Sequence, residues 1–149
     1  MIHYVIGDAT EMLFGDPDAK KILAHVCNDQ GGFGAGIAGQ IAKKWPFVKK
    51  VYQSYPHVLE TNQLIKIERD KFICNMIAQK GFSTKTYAAC NLEALAKCLW
   101  LLDNTLSLAE NIEVHTCRLG CGLGGRKWPE IEPLLQKYIT HPIYVYDFV

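Results

Sequence analysis

Short apolar runs alternate with helical periodicities along this chain. The runs predict strands, because they are only a few residues long and are bounded by Gly, Asp, Asn or Pro. They cover residues 2–6, 22–27, 64–67, 72–77, 112–118 and 143–148. A helix is predicted over residues 37–44, and apolar residues that recur on one helical face indicate two more. Those residues are Leu92, Leu95, Ala96, Leu99, Leu102 and Leu106 in one helix and Ile131, Leu134, Leu135 and Tyr138 in the other.

This alternation of strands and helices predicts an α/β fold. Central strands that are apolar throughout are buried on both faces, so we expect a three-layer α/β/α sandwich around a mixed, mostly parallel sheet. The 149 residues suffice for one hydrophobic core and contain no linker-like stretch rich in Pro, Gly and Ser. We therefore expect a single domain over residues 1–149.

Two glycine-rich loops each connect a predicted strand to a predicted helix. The first glycine loop is "GGFGAG" at residues 31–36, and the second is "LGCGLGG" at residues 119–125. Where such a loop opens a helix, unpaired backbone N–H groups and the positive end of the helix dipole favour an anion. Ligands of open α/β sheets bind beyond the carboxyl ends of the strands. The two loops together predict a site that holds a pyrophosphate from opposite sides.

A single glycine-rich loop is more simply a tight turn, and only the presence of two at equivalent junctions favours the anion site. Neither loop ends in the Gly-Lys-Ser/Thr of the phosphate loop of nucleoside triphosphatases. A dinucleotide fingerprint is also not supported, because no acidic residue ends a second strand about twenty residues after "GGFGAG".

Composition narrows the function classes. Sixteen Lys and Arg against fifteen Asp and Glu give a net charge of +1, which disfavours a broad nucleic-acid surface.

Six cysteines occupy apolar segments and are predicted to be reduced core residues: Cys27, Cys74, Cys90, Cys98, Cys117 and Cys121. Cys117 and Cys121 have no second close Cys or His pair, so we expect no metal site. The sequence shows neither a signal peptide nor a membrane span, so we expect a cytoplasmic protein without a membrane partner.

Five segments, in this order along the chain, resemble a macrodomain, the ADP-ribose-binding module. They are "YVIGDAT", "AHVCND" with the following "GFGAGIAGQIAKKWP", "ICNMIAQKG", "RLGCGLGGRKWPEIEPLL" and "IYVYDF". The similarity runs essentially from end to end. It points to the branch that contains the ADP-ribose 1''-phosphate phosphatases and the hydrolases that remove terminal ADP-ribose from carboxylate side chains. The resemblance implies a macrodomain-like fold, ADP-ribose as ligand and no cofactor.

The resemblance also implies roles for the residues that match the family's motifs. Asp8 would accept a hydrogen bond from the adenine amino group and Ala9 would offer its backbone, although a turn or helix cap explains Asp8 equally well. Asn28 would hydrogen-bond the distal ribose, and Phe33 would flank that ribose or pack within the loop. The diphosphate would lie between Gly34, Ala35, Gly36 and Ile37 on one side and Gly120, Cys121, Gly122, Leu123 and Gly124 on the other.

The terminal ADP-ribose hydrolases of this branch use a lysine after the strand that ends in "MI" and an aspartate in the second loop. Gln79 and Gly124 stand at those positions here, and Lys80 follows one residue later. A glutamine cannot form a Schiff base and a glycine offers no acid, so the sequence argues against that covalent route.

Removal of a phosphate group needs other residues, and the candidates are Asn28, His25 and Asp29. His25 suits general acid or base catalysis because imidazole titrates near neutrality, although an apolar strand more often buries a structural histidine. Asp29 either orients a water or caps the turn before the glycines.

We therefore expect a protein that binds ADP-ribose and hydrolyses ADP-ribose 1''-phosphate to ADP-ribose and phosphate. The missing Lys–Asp pair favours one alternative, a noncatalytic reader of ADP-ribose or of ADP-ribosylated macromolecules. A third possibility is an ADP-ribosyl hydrolase that acts through other groups. The expected partner is ADP-ribose or its 1''-phosphate, with an ADP-ribosylated protein as a further candidate.

Overall fold

The computed structural model describes residues 2–13 and 15–147. The strands in this part of the chain are β1 (Ile2–Ile6), β2 (Lys20–Asn28), β3 (Thr61–Glu68), β4 (Lys71–Gln79), β5 (Ile112–Thr116) and β6 (Ile143–Asp147). The helices are α1 (Ala9–Met12), α2 (Gly36–Lys44), α3 (Pro46–Ser54), α4 (Leu92–Leu106) and α5 (Trp128–Tyr138).

One mixed sheet contains these strands in the order β1-β6-β5-β2-β4-β3. β3 is antiparallel to β4, and every other neighbouring pair is parallel. Because β2 and β5 are parallel neighbours, their carboxyl ends lie at the same edge of the sheet. The first glycine loop follows β2 and the second follows β5, so this topology brings the two loops together.

Alternate residues of the strands pack against different helical layers. Ile22 and Ala24 of β2 belong to the core cluster with α4 and α5, whereas Leu23 and Cys27 belong to the cluster with α2 and α3. The three-layer α/β/α sandwich with a mixed, mostly parallel sheet is therefore confirmed. The chain leaves β2 toward one layer and leaves β5 toward the other, which opens a crevice between the two connections.

The observed elements differ from the predicted ones at several boundaries. β2 and β4 extend beyond their apolar centres because Lys20, Asn28, Lys71 and Gln79 also take part in strand pairing. β5 ends at Thr116 rather than at residue 118, since the chain there turns into the second glycine loop. The last residue of the predicted final strand, Phe148, lies outside the described residues.

Helix α3 is not among the elements predicted above, because Trp45 and Pro46 interrupt the periodicity of the preceding helix. Pro46 occupies the first turn of α3, where its missing N–H costs no intrahelical bond. The helix buries Val48 and Tyr52. These two positions, with Val51 between them, have the spacing of one helical face and are the signal that identifies α3.

The cysteines are free thiols, with Cys27, Cys74, Cys90 and Cys98 buried and Cys117 and Cys121 partly buried. Within residues 2–13 and 15–147, no three His, Cys, Asp or Glu side chains are grouped so that they could hold a metal ion. None of the helices found there combines the length and apolar character that a membrane crossing requires.

Candidate functional site

The first glycine loop leads into the N-terminus of α2, where no capping side chain and no acidic side chain is present. Ala35 is the N-cap and provides no side-chain hydrogen bond, and the first turn of α2 contains no acidic residue. By contrast, Asp8 caps α1 and Asn91 caps α4. The N–H groups of the first turn of α2 therefore remain available to an anion from outside the helix.

The second glycine loop is built from close backbone contacts. The N–H of Arg126 donates to the carbonyl oxygen of Gly120 at 2.8 Å, and the N–H of Gly125 donates to that of Gly122 at 3.2 Å. A Cβ atom at Gly124 would lie only 2.6 Å from the carbonyl oxygen of Gly120, so the loop closes this tightly only with glycine there. Among the hydrogen bonds of the described residues, none uses the N–H of Gly122, Leu123 or Gly124.

The two loops form opposite walls of a cavity of about 800 Å³, which we call the main cavity. Phe33, Gly34, Ala35, Gly36 and Ile37 line one wall, and Gly120, Gly122, Leu123 and Gly124 line the other. Val26, Asn28, Gln40, Gln79, Phe82, Ser83 and Arg118 complete much of the lining. Phe82 and Leu123 at its rim are 61% and 63% exposed, so apolar side chains border the opening.

Arg118 is the only permanently charged side chain among the described residues that line the main cavity. Its Nε and Nη2 atoms donate to the two carboxylate oxygens of Asp147 at 2.6 and 2.9 Å. This hydrogen-bonded pair raises the pKa of the guanidinium and lowers that of Asp147. Arg118 is therefore held in place by Asp147 at the end of β6.

Solved structures of other proteins are similar to this chain along its whole length. A macrodomain protein from Streptomyces coelicolor is 31% identical to this chain, and its structure matches with a TM-score of 0.82 over 99% of each chain. The chain belongs to the macrodomain family. A protein of unknown function from Bacteroides thetaiotaomicron is similar to this macrodomain at 29% identity and a TM-score of 0.88, with 99% of this chain and 98% of that one covered.

A curated relative extends the similarity. ADP-ribose 1''-phosphate phosphatase from Lodderomyces elongisporus is 28% identical to this macrodomain, covering 98% of this chain and 99% of the relative. No model of a protein family matches the sequence, so the assignment to the macrodomain family rests on the individual relatives.

Asn28 lines the main cavity of this macrodomain and also holds the first glycine loop. Its Oδ1 accepts hydrogen bonds from the N–H groups of Gln30 at 2.9 Å and Gly32 at 3.1 Å, and its Nδ2 donates to the carbonyl oxygen of Gly32 at 2.9 Å. A shift in strand register between Cys27 and Asn28 interrupts the alternation of β2. Asn28 is therefore only partly buried, whereas Cys27 before it is buried in the core.

The position of His25 in the structure disfavours its predicted catalytic role, which stays a prediction. His25 is 0% exposed, and its Nε2 donates to Oδ1 of Asn75 at 2.5 Å. Burial lowers its pKa to about 4, although the hydrogen bond to Asn75 opposes this shift. The ring of Phe33 packs edge-on against it, with the ring centroids 5.4 Å apart. His25 is therefore a neutral structural residue that is covered by the side chain of Phe33.

The sequence predicts that Asp29 orients a water or caps the turn before the first glycine loop, and in the structure it bonds to the loop that follows β4. Its Oδ1 accepts hydrogen bonds from the N–H of Gly81 at 2.9 Å and from Gln30 at 3.0 Å. Burial alone would raise its pKa, but the hydrogen bonds from Gly81 and Gln30 outweigh this effect and lower it. Asp29 is thus an ionised carboxylate that ties the end of β2 to the loop after β4.

Other predicted site residues divide into two groups. Phe33 lines the main cavity while its ring also packs on Tyr52, whereas Asp8, Ala9 and Cys121 do not line it. Asp8 caps α1 through Oδ1, which accepts from the N–H and the hydroxyl of Thr10 at 2.8 and 2.6 Å. Its function as a helix cap is therefore observed, and base recognition stays a prediction.

Sequence reasoning missed Tyr52, Phe82, Ser83 and Arg118. Ser83 Oγ donates to the carbonyl oxygen of Leu123 at 2.7 Å, which joins the loop after β4 to the second glycine loop. Arg118 is the residue the sequence could have shown, because it directly precedes the second glycine loop. The others lie on segments without a recognisable motif.

Proposed function

We propose that this macrodomain binds ADP-ribose between its two glycine loops and hydrolyses ADP-ribose 1''-phosphate to ADP-ribose and phosphate. The observation that carries the proposal is a single cavity onto which both loops present unpaired backbone N–H groups. Backbone N–H groups and a helix N-terminus bind an anion without a cluster of lysines. This suits a diphosphate held by a chain of net charge +1.

The order of the strands supports a direction for the ligand. Asp8 follows β1 at one end of the sheet, directly after Gly7, whose N–H donates to the carbonyl oxygen of Asp147 at 2.9 Å, whereas Asn28 ends β2 nearer the other end. The base would lie toward Asp8 and Ala9, with Oδ2 of Asp8 outside the two bonds of the helix cap. The distal ribose would lie beside Asn28 and Phe33, and the diphosphate would lie between the loops. A volume of about 800 Å³ is adequate for a ligand of this size.

The name of the curated relative supports the reaction. Its similarity covers 98% of this chain and 99% of the relative, so it includes both loops. Phosphoryl transfer relies chiefly on positioning and on stabilisation of charge. The two loops are suited to both tasks, because their N–H groups are fixed by backbone geometry.

The proposed reaction is attack by water on phosphorus, in line with the bond between phosphorus and the 1''-oxygen. That bond breaks and its electrons stay on the oxygen of ADP-ribose, which takes a proton from solvent. The attacking water gives one proton to solvent and becomes an oxygen of the released phosphate. Asn28 would hold the distal ribose. Ionised Asp29 does not line the main cavity, so it would accept a hydrogen bond from the attacking water from beside Asn28, through Oδ2, because Oδ1 is bonded to Gly81 and Gln30. We assign no proton transfer to His25, because it is buried behind Phe33.

A noncatalytic reader of ADP-ribose is the second candidate function. Among the described residues that line the main cavity there is no histidine and no carboxylate. Burial raises the pKa of the lining residue Cys117 to about 11, so it is a thiol rather than a nucleophilic thiolate. Covalent removal of ADP-ribose by a Lys–Asp pair is disfavoured, because Gln79 and Gly124 occupy those positions.

A phosphorus NMR time course of ADP-ribose 1''-phosphate with the protein tests the proposal. The expected result is a shift of the diphosphate signals on binding, followed by growth of inorganic phosphate in proportion to protein concentration. A shift without release of phosphate would favour the reader. Unchanged spectra would reject both candidate functions.

Two further expectations belong to the same proposal. We place the protein in the cytoplasm, and its six free cysteines support a reducing compartment. An ADP-ribosylated protein stays a candidate partner, because the rim formed by Phe82 and Leu123 is exposed and apolar.

A further inference from the structure

Tyr52 of α3 contacts the site although it belongs to neither glycine loop. The residue is 0% exposed, and its single hydroxyl hydrogen is donated to the backbone carbonyl oxygen of Asn28 at 2.6 Å, with Oδ1 of Asn28 as a second, longer acceptor at 3.2 Å. Burial raises the pKa of Tyr52 to about 12, so the group is a neutral hydroxyl with a proton to donate. The phenol therefore donates to one residue of the main cavity, while the backbone of Gly31 also hydrogen-bonds the phenol oxygen.

These contacts determine which way the Asn28 amide faces. Three donors converge on one atom: the N–H of Gln30, the N–H of Gly32 and the hydroxyl of Tyr52, which shares its hydrogen between this atom and the backbone carbonyl oxygen of Asn28. Only the oxygen of the amide can accept from all of them, which identifies it as Oδ1. Nδ2 uses one hydrogen for the carbonyl oxygen of Gly32. Its second hydrogen has no partner among the described residues, and Asn28 lines the main cavity.

The phenol ring is itself held from two sides. The ring of Phe33 packs against it with centroids 5.1 Å apart, and the ring of His57 packs with centroids 4.3 Å apart. Nε2 of His57 donates to the carbonyl oxygen of Tyr52 at 2.7 Å, and Gln63 donates to the same oxygen at 3.4 Å. A ring enclosed in this way cannot swing aside, so the hydroxyl stays directed at Asn28.

We infer that Tyr52 is a positioning residue that restricts Asn28 to donating a hydrogen bond toward the distal end of the ligand. The inference rests on the proposed function, because it needs a ligand in the main cavity. With Oδ1 occupied by three donors, Asn28 has no acceptor left for a ribose hydroxyl. The group that it meets must therefore accept a hydrogen bond, as the oxygen of a ribose hydroxyl does.

Tyr52→Phe tests this inference, because it removes the hydroxyl and keeps the ring. Affinities for ADP-ribose and for ADP, which lacks the distal ribose, are measured by titration calorimetry. The expected result is a roughly fivefold weaker affinity for ADP-ribose, the usual effect of one lost hydrogen bond, with the affinity for ADP unchanged. A general loss of structure would weaken both ligands equally. Tyr55→Phe is the matched control, since Tyr55 is the C-cap residue that follows α3 and is 60% exposed.

A double-mutant cycle with Asn28→Ala tests whether the effect passes through Asn28. In the Asn28→Ala background, we expect Tyr52→Phe to leave the affinity for ADP-ribose unchanged, because the amide that it orients is absent. A further fivefold loss in that background would overturn the inference.

A measurement on the unmodified protein covers the case in which a variant does not fold. The side-chain amide signals of Asn28 in a proton–nitrogen NMR spectrum should shift with ADP-ribose and stay in place with ADP. If the protein distinguishes the two ligands but these signals respond to neither, the inference alone fails. If it binds ADP-ribose no better than ADP, the proposed position of the distal ribose fails, and the inference fails with it.

Discussion

Gly122 shows how single residues make an anion site from backbone atoms. It lines the main cavity, its N–H is outside the turns of the second glycine loop, and a Cβ atom there would meet nothing within 4 Å. The residue thus offers a hydrogen-bond donor to the cavity, and a side chain can be added without disturbing the loop. A charged side chain at this position would therefore change the electrostatics of the cavity without steric strain in the loop.

Gly122→Glu is expected to abolish binding of ADP-ribose, because its carboxylate would face the diphosphate. Gly122→Gln is the matched control, since it has the same shape without the charge. We expect the Glu variant to bind at least about tenfold more weakly than the Gln variant in titration calorimetry, because placing like charges side by side costs several kcal/mol. Equal affinities for the two variants would contradict the placement of the diphosphate at this loop.

At the scale of elements, the second glycine loop packs against the segment that precedes α4. Cys90 precedes α4, and its N–H donates to the carbonyl oxygen of Gly124 at 3.0 Å. Its Sγ would lie 2.6 Å from a Cβ atom at Gly120, and its own Cβ would lie 2.9 Å from one at Gly124. The loop is thus pressed against a buried cysteine. An acidic side chain at position 124 would not fit this packing.

Gly124→Ala is expected to destabilise the protein, because the added methyl group meets backbone on one side and Cys90 on the other. Overpacking of this kind costs about 1–3 kcal/mol in the free energy of unfolding. Gly122→Ala in the same loop is the control, with an expected change of no more than about 0.5 kcal/mol, as at an open surface position. Denaturant unfolding of both variants measures the difference. Equal stabilities would show that the loop relaxes at no cost.

For the whole molecule, the buried histidines couple stability to pH. The pKa of His25 is about 4 in the folded protein and about 6.5 in an unfolded chain, and burial also lowers that of His115. Between these values the unfolded chain binds a proton that the folded protein does not. The free energy of unfolding therefore falls as the pH decreases from about 6.5 to about 4.

His25→Gln tests this coupling, because a glutamine amide can still donate to Asn75 but does not titrate. The fall in the free energy of unfolding between pH 6.5 and 4 should be smaller in this variant, by up to about 3 kcal/mol. The remaining slope reports His115 and, toward pH 4, the carboxylates of Asp29 and Asp147, whose pKa values are also lowered in the folded protein. Urea unfolding at a series of pH values measures how the free energy of unfolding changes with pH. If this change is the same in the variant and in the unmodified protein, His25 is protonated in the folded state.

Much of the architecture follows from local patterns. Apolar runs identify the strands and the helical spacing in α4 identifies its buried face, because both depend on residues close in sequence. The glycines of the two loops are equally visible, and the family resemblance follows from motifs spread along the whole chain. The bounds of a single domain and the roles of Asp8, Asn28 and Asp29 in binding or catalysis stay predictions.

The sequence by itself determined the order of the elements, the position of both glycine loops and membership of the macrodomain family. Only the tertiary structure decided that His25 is buried behind Phe33, that Asp29 holds Gly81 and that Tyr52 orients Asn28. These outcomes depend on which helix covers each face of β2 and on a register shift at its end. Contacts between residues 24 or 52 positions apart exist only once the sheet and its two layers have formed.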